Sequence, residues 1–292
     1  MNRLFTFGCS FTKYNWAMWP EIMKLEYKPD VFKNYGVCGA GNQYIAHQVA
    51  VANQEHKFTK DDLIMICWTH IFRKDWFRPT GYYDPNDIGQ LGSPGSIDGW
   101  ECNGNIYNSS SGLSLHMSDV IKIPADFLAR DLLYITNTIE LLEAKGIPNH
   151  QMQLLPLFSK FGDGEDEAFL ADDVNHKDIS TLSNYLKPLL KTSFEEIVNT
   201  HTTWKEYFLH DENAGEYHPM PVDHAIYLEK VLDIKFSQNT MDAAKRCQDA
   251  VFAFFKTKRP MVIDKHPDYN VLFQDQNTMK PLDFALYLDK FS

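Results

Sequence analysis

The sequence has no CxxC pair. Its five cysteines, Cys9, Cys38, Cys67, Cys102 and Cys247, are odd in number and widely spaced. That pattern excludes a disulfide frame or a zinc cage and reads as reduced thiols of a protein made in a cytoplasm. Positive charge is also scarce. The 28 Lys and Arg stand against 39 Asp and Glu, a formal charge of -11. No nucleic-acid partner is expected, because phosphate binding needs clustered cations. No apolar run approaches the roughly 20 residues that span a bilayer, so no membrane partner is expected either. A basic segment followed by an apolar core is missing from the start, which makes the cytoplasm the expected location. His201, His210, Asp211, His218, Asp223 and His224 form a stretch rich in histidine and carboxylate, but their spacing fits no compact ligand signature. No metal is expected there.

What is present is ordinary globular usage. The 292 residues are 44% hydrophobic and 23% charged, enough to bury a sizeable core in one or two domains. Leu4 to Phe7 is a short apolar run closed by Gly8 and reads as a buried strand. Trp16 to Leu25 is helix-like, with Pro20 near its start. A second short strand in "VFKN" leads to a turn with Gly36, Gly39 and Gly41, then to a helix carrying Ile45, Val49 and Ala52 on one face. Leu63 to Cys67 is continuously apolar, as in strands buried inside a parallel sheet.

From about residue 72 to 118 the chain is rich in Gly, Asn, Ser and aromatics and reads as a long loop insertion or lid. Its aromatics, Trp76, Tyr82, Tyr83, Trp100 and Tyr107, either line a binding cleft or pin the loop. The clearest helix follows. Leu128, Leu132, Ile135, Ile139 and Leu142 repeat at helical spacing, with Pro124 at the start and Gly146 and Pro148 at the end. "QMQLLPLF" supplies a further strand. A helix then follows His218-Pro219, and another lies within "SQNTMDAAKRCQDAVFAFFKTK". Strands alternating with amphipathic helices make this an α/β chain with a mainly parallel sheet.

The chemistry begins at "FGCSFT". A serine where a strand gives way to a turn can be presented for attack, since ligands gather at the carboxyl ends of such strands. A serine hydroxyl needs a base, and His218, held on a proline-flanked turn, is the candidate. His224 reads as a helix residue packed nearby.

Four separated segments then occur in an order that resembles the SGNH hydrolases, the GDSL-type esterases and lipases, and most closely their divergent bacteriophage members. "FGCSFT" is similar to the GDS block, with Cys9 in place of aspartate, which makes Ser10 the implied nucleophile. "NYGVCGAGN" resembles the block whose glycine N–H helps form the oxyanion hole. Gly39 takes that position, with Gly36 and Gly41 as near competitors. "MICWTH" stands where the family has Gly-x-Asn-Asp, so Cys67 replaces the glycine, Thr69 the asparagine and His70 the aspartate. Trp68 and His70 are the implied substrate contacts. The fourth block ends in His218-Pro219, but Gly215 occupies the usual place of the acid. Glu216, Asp211 or a backbone carbonyl is left to orient the imidazole.

The resemblance implies a three-layer α/β/α sandwich of the SGNH, flavodoxin-like type over residues 1–235, with a C-terminal helical extension over 236–292. It implies a serine esterase, free of cofactor, that acts on a small O-acyl ester such as an O-acetyl glycan. The altered third and fourth blocks keep a non-catalytic carbohydrate-binding or phage structural protein, and an acyltransferase, as alternatives.

Overall fold

The computed structural model describes residues 2–14, 16–69, 71, 73–77, 95–97, 100–105, 124–154, 157, 176–190, 193–194 and 218–257. In chain order its elements are β1 (Arg3–Phe7), α1 (Trp19–Tyr27), β2 (Val31–Asn34), α2 (Asn42–His56), β3 (Asp62–Trp68), β4 (Arg73–Phe77), β5 (Gly95–Ile97), β6 (Trp100–Asn105), α3 (Pro124–Ala144), β7 (Asn149–Gln153), α4 (Lys177–Leu186), α5 (Pro221–Leu232) and α6 (Gln238–Thr257). They group into two compact units. One comprises Met1–Thr12 and Pro29–Glu195, the other Lys13–Lys28 and Glu196–Ser292. This grouping differs from the 235/236 division read from the sequence, because α1 and α5 fall in the same unit as α6.

The first unit is an α/β sandwich built on a parallel sheet of order β2-β1-β3-β7. β3 is buried along its whole length, which explains its unbroken apolar run. β1 is almost as deeply buried, with Leu4, Phe5 and Phe7 fully inside. At the start of the two strands Arg3 grips Asp62 with two hydrogen bonds of 2.6 Å, fixing their register at Arg3 opposite Asp62. α2 packs on β1, β3 and α3. Leu128, Leu132, Ile135, Ile139 and Leu142 of α3 are all buried, as their spacing predicts. The helix ends in a Schellman pattern: Ile147 N–H donates to Leu142 O at 2.9 Å and Gly146 N–H to Glu143 O at 2.8 Å.

Two expectations need correction. The strand expected in "QMQLLPLF" is β7, but it begins two residues earlier, in polar Asn149-His150, and ends at Gln153. Its glutamines are spent on tertiary bonds: Trp68 Nε1 donates to Gln151 Oε1 at 2.7 Å, and Gln153 Nε2 to Leu190 O at 2.9 Å. The insertion is not only loop. Its described parts form an antiparallel sheet of order β4-β6-β5. Trp100 in β6 is 5% exposed and lies among the rings of Tyr44, His47 and Phe77, so it pins the insertion to α2.

In the second unit α1 packs on α5 and α6, and α5 on α6. Glu26, in the last turn of α1, accepts hydrogen bonds from the Ser237 and Thr240 hydroxyls at 2.8 and 2.6 Å. No helix among the described residues is long and apolar enough to cross a membrane.

Candidate active site

Strand order decides where chemistry can gather in the first unit. The connection leaving β1 leads to β2 on one side, whereas that leaving β3 leads to β7 on the other. The carboxyl ends of β1 and β3 therefore flank a topological switch point, the place where open parallel sheets bind ligands. Ser10 follows β1 and Thr69 follows β3. The glycine turn follows β2, the other neighbour of β1.

Ser10 sits in a tight turn closed by Thr12 N–H donating to Cys9 O at 2.9 Å, and it retains 5% of its surface. Asn34, the last residue of β2, ties this turn to the glycine segment. Its Nδ2 donates to Thr12 O at 2.9 Å while its Oδ1 accepts from Gly36 N–H at 3.0 Å. Val37 N–H donates to Gly8 O at 3.1 Å. Gly39 then takes φ 75°, a left-handed conformation that turns the chain into α2. Arg73 Nη1 donates to Ala40 O at 2.9 Å, and the Asp75 carboxylate accepts from Gly41 and Tyr44 N–H, both at 2.8 Å. Asp75 thus caps α2 from β4, a role no residue adjoining the helix performs.

Thr69 is fully buried. Its N–H donates to Asn42 Oδ1 at 2.8 Å and its carbonyl accepts from Asn42 Nδ2 at 3.0 Å. Both backbone groups are therefore committed. Its Oγ1 has no hydrogen-bond partner among the described residues. Asn42 Nδ2 also donates to Asp131 Oδ2 at 2.8 Å, and Arg130 Nε to Asp131 Oδ1 at 2.8 Å. Burial pushes the Asp131 carboxyl up to about 7, against the pull of Arg130 and Asn42. Burial raises Asp75 too, against its two amide donors and Arg73. Neither Asn42 nor Asp131 was singled out from the sequence. Asp131 had left a signal, since it lies on the apolar stripe of α3 between Leu128 and Leu132, where a carboxylate needs partners.

Buried Cys67 is a poor rival for nucleophile. Burial, with the neighbouring Cys9 adding to it, pushes the Cys67 thiol well up, so it stays protonated. Trp68 is likewise a correction. It is fully buried and its indole N–H donates to Gln151, so it has no exposed surface to offer a substrate in this conformation.

His218 belongs to the second unit. Its ring stacks on Tyr14 with centroids 3.7 Å apart and planes 14° from parallel, and Trp16 meets it edge-on at 6.4 Å. Trp16 Nε1 donates to Pro219 O at 3.0 Å. α5 starts two residues later, capped by Asp223 Oδ2, which accepts from Met220 N–H at 3.0 Å. The His-Pro turn is thereby fixed on both sides. His224 is fully buried in α5. Burial, then the nearby His218, push it down to about 3, so it is neutral and no general base near neutral pH. Glu216, Asp211 and His70 lie outside the described residues. Among the described residues no group of three or more His, Cys, Asp and Glu side chains is placed to hold a metal ion.

No protein-family model matches the chain. No curated protein matches it either. Among solved structures it is similar to a member of the lipolytic protein G-D-S-L family from Veillonella parvula, at 16% identity over 80% of this chain and 98% of that chain, with a TM-score of 0.37. It is also similar to an acetyl xylan esterase, at 11% identity over 85% of this chain and 99% of that one, with a TM-score of 0.30. Similarities of this size leave the chemistry to be read from the chain's own residues.

Proposed function

We propose that this chain hydrolyses a small O-acyl ester through an acyl-enzyme formed on Ser10. The observation that carries the reading is the placement of Gly39, Ser10 and Thr69 after three adjacent parallel strands, with the Thr69 hydroxyl buried and uncommitted. A buried hydroxyl without a partner is costly, and a developing oxyanion is an acceptor that would employ it.

In this mechanism Ser10 Oγ attacks the acyl carbon while His218 accepts its proton. The negative charge that forms on the carbonyl oxygen is held by N–H groups of Gly39 and Ser10 and by the Thr69 hydroxyl. Collapse expels the alcohol, which takes the proton back from His218. Water, deprotonated by the same imidazole, then releases the acid and restores Ser10. Glu216, or Asp211 in its place, orients Nδ1–H and stabilises the imidazolium. An O-acetyl group on a glycan is the proposed substrate class, on the strength of the sequence resemblance.

Turnover of a short-chain nitrophenyl ester by wild type and Ser10→Ala tests this. Loss of the nucleophile is expected to cost about 1,000-fold or more in kcat. Equal rates for the two proteins would remove the hydrolase reading in favour of a binding protein. Adding an alcohol acceptor separates hydrolysis from acyl transfer by the product formed.

A further inference from the structure

We infer that Asn42 is a positioning residue for this chemistry, clamping both backbone groups of Thr69 and leaving only its hydroxyl uncommitted; the catalytic part of the inference rests on the hydrolase reading above. β3 ends at Trp68, and beyond it the Thr69 backbone has no strand ladder to join. The Asn42 side chain takes over that task, accepting from Thr69 N–H at 2.8 Å and donating to Thr69 O at 3.0 Å. Its second amide proton goes to Asp131 Oδ2 at 2.8 Å. Every strong group of the amide has a defined partner, and rotating it by half a turn would set donor against donor and acceptor against acceptor. The orientation is therefore dictated by the network.

The same network holds the glycine turn. Asn42 directly follows Gly41, whose N–H is bonded to Asp75, while Arg73 holds Ala40 O. Arg130 joins the two parts: it pairs with Asp131 at 2.7 Å and donates to Arg73 O at 3.2 Å. Thr69 and the two residues that follow Gly39, Ala40 and Gly41, are thus held by one largely buried assembly with Asn42 at its centre. Loss of Asn42 releases both backbone groups of Thr69 at once and lets the residue rotate its hydroxyl away.

Two measurements test this. Amide hydrogen exchange at Thr69, compared between wild type and Asn42→Ala, is expected to be at least about 10-fold faster in the variant, because local opening then requires no bond to residue 42. The Ile64 to Cys67 amides serve as the unaffected reference. Unchanged protection at Thr69 overturns the inference whether or not the protein is an esterase. In turnover, Asn42→Ala and Thr69→Val are each expected to lower kcat by about 100-fold with little change in KM. If Asn42 acts through Thr69, the double variant is no slower than the slower single one. Multiplicative losses, or an unchanged kcat in Asn42→Ala, contradict it. Should Asn42→Ala fail to fold, Asn42→Ser takes its place, polar but too short to reach both Thr69 groups. Absence of Ser10-dependent turnover in wild type overturns the hydrolase reading alone, since the exchange measurement still decides whether Asn42 holds Thr69.

Discussion

The ring of Tyr14 lies flat against that of His218, with centroids 3.7 Å apart. Tyr14 comes four residues after Ser10 in the sequence, and Trp16, two further on, bonds the carbonyl of Pro219. Within the second unit, Tyr14 and Trp16 thus hold the ring of the proposed base and the carbonyl of the residue after it. A flat aromatic face suits an imidazole that becomes cationic during the reaction.

Replacing Tyr14 with Leu removes that face. An aromatic pair contributes about 0.5–1.5 kcal/mol, so kcat is expected to fall by about 3- to 10-fold, whereas Tyr14→Phe keeps the stack and most of the rate. An NMR measurement checks the contact independently of turnover. The His218 ring protons should lose their ring-current shift in Tyr14→Leu and retain it in Tyr14→Phe.

Stability should depend on pH through Asp131. In the unfolded chain an aspartate titrates near about 3.9, whereas burial pushes Asp131 up to about 7. Between those values the folded protein keeps a proton that the unfolded chain has released. Stability contributed by the protonated form is present below about 4 and is lost as pH rises to about 7. Asp75, also raised by burial, works in the same direction. Asp62 works in the opposite one, because its bonds to Arg3 and Thr59 outweigh the effect of burial and hold it low. The informative quantity is therefore a difference. Across about pH 4.5 to 7.5, Tm of Asp131→Asn should decline less than that of wild type, even if it starts lower.

Gly8 admits no side chain. A Cβ there would overlap the Thr12 hydroxyl and lie 2.9 Å from Thr12 Cβ and 3.1 Å from Cys67 O. Thr12 is fully buried, so it has little room to retreat. Gly8→Ala should cost about 1–3 kcal/mol in urea unfolding and displace the Ser10 turn, with activity falling alongside.

Thr69 offers a graded test of the oxyanion assignment. Thr69→Ser keeps the hydroxyl and should stay within about 10-fold of wild type, whereas Thr69→Val removes it and should lose about 100-fold in kcat. Equal activity of the two variants would strip the hydroxyl of its role.

The parts of this architecture that repeat a hydrophobic period were legible in the sequence. β3 showed itself as a continuous apolar run and α3 as a stripe with a proline at its start and a glycine beyond its end. Ser10, Gly39 and Thr69 drew attention in the sequence because each lies in the turn after a strand and matches a block in order. What escaped was held by polar side chains acting at long range. The bounds of β7 escaped, since it starts in polar residues and its glutamines make sense only once Trp68 and Leu190 are in place. Asn42 carries no local signal of its role, because its partner Asp131 lies 89 positions away in the chain. The strands of the insertion are three to six residues long, too short for any period to separate them from loop.

The central claim is that Ser10 is a nucleophile activated by His218. Intact-mass and peptide analysis after exposure to a fluorophosphonate tests it most directly. A single adduct on the Ser10 peptide is expected in wild type, none in Ser10→Ala, and formation slower by about 100-fold or more in His218→Ala. An unlabelled wild type, a label that persists in Ser10→Ala, or an undiminished rate in His218→Ala would contradict it.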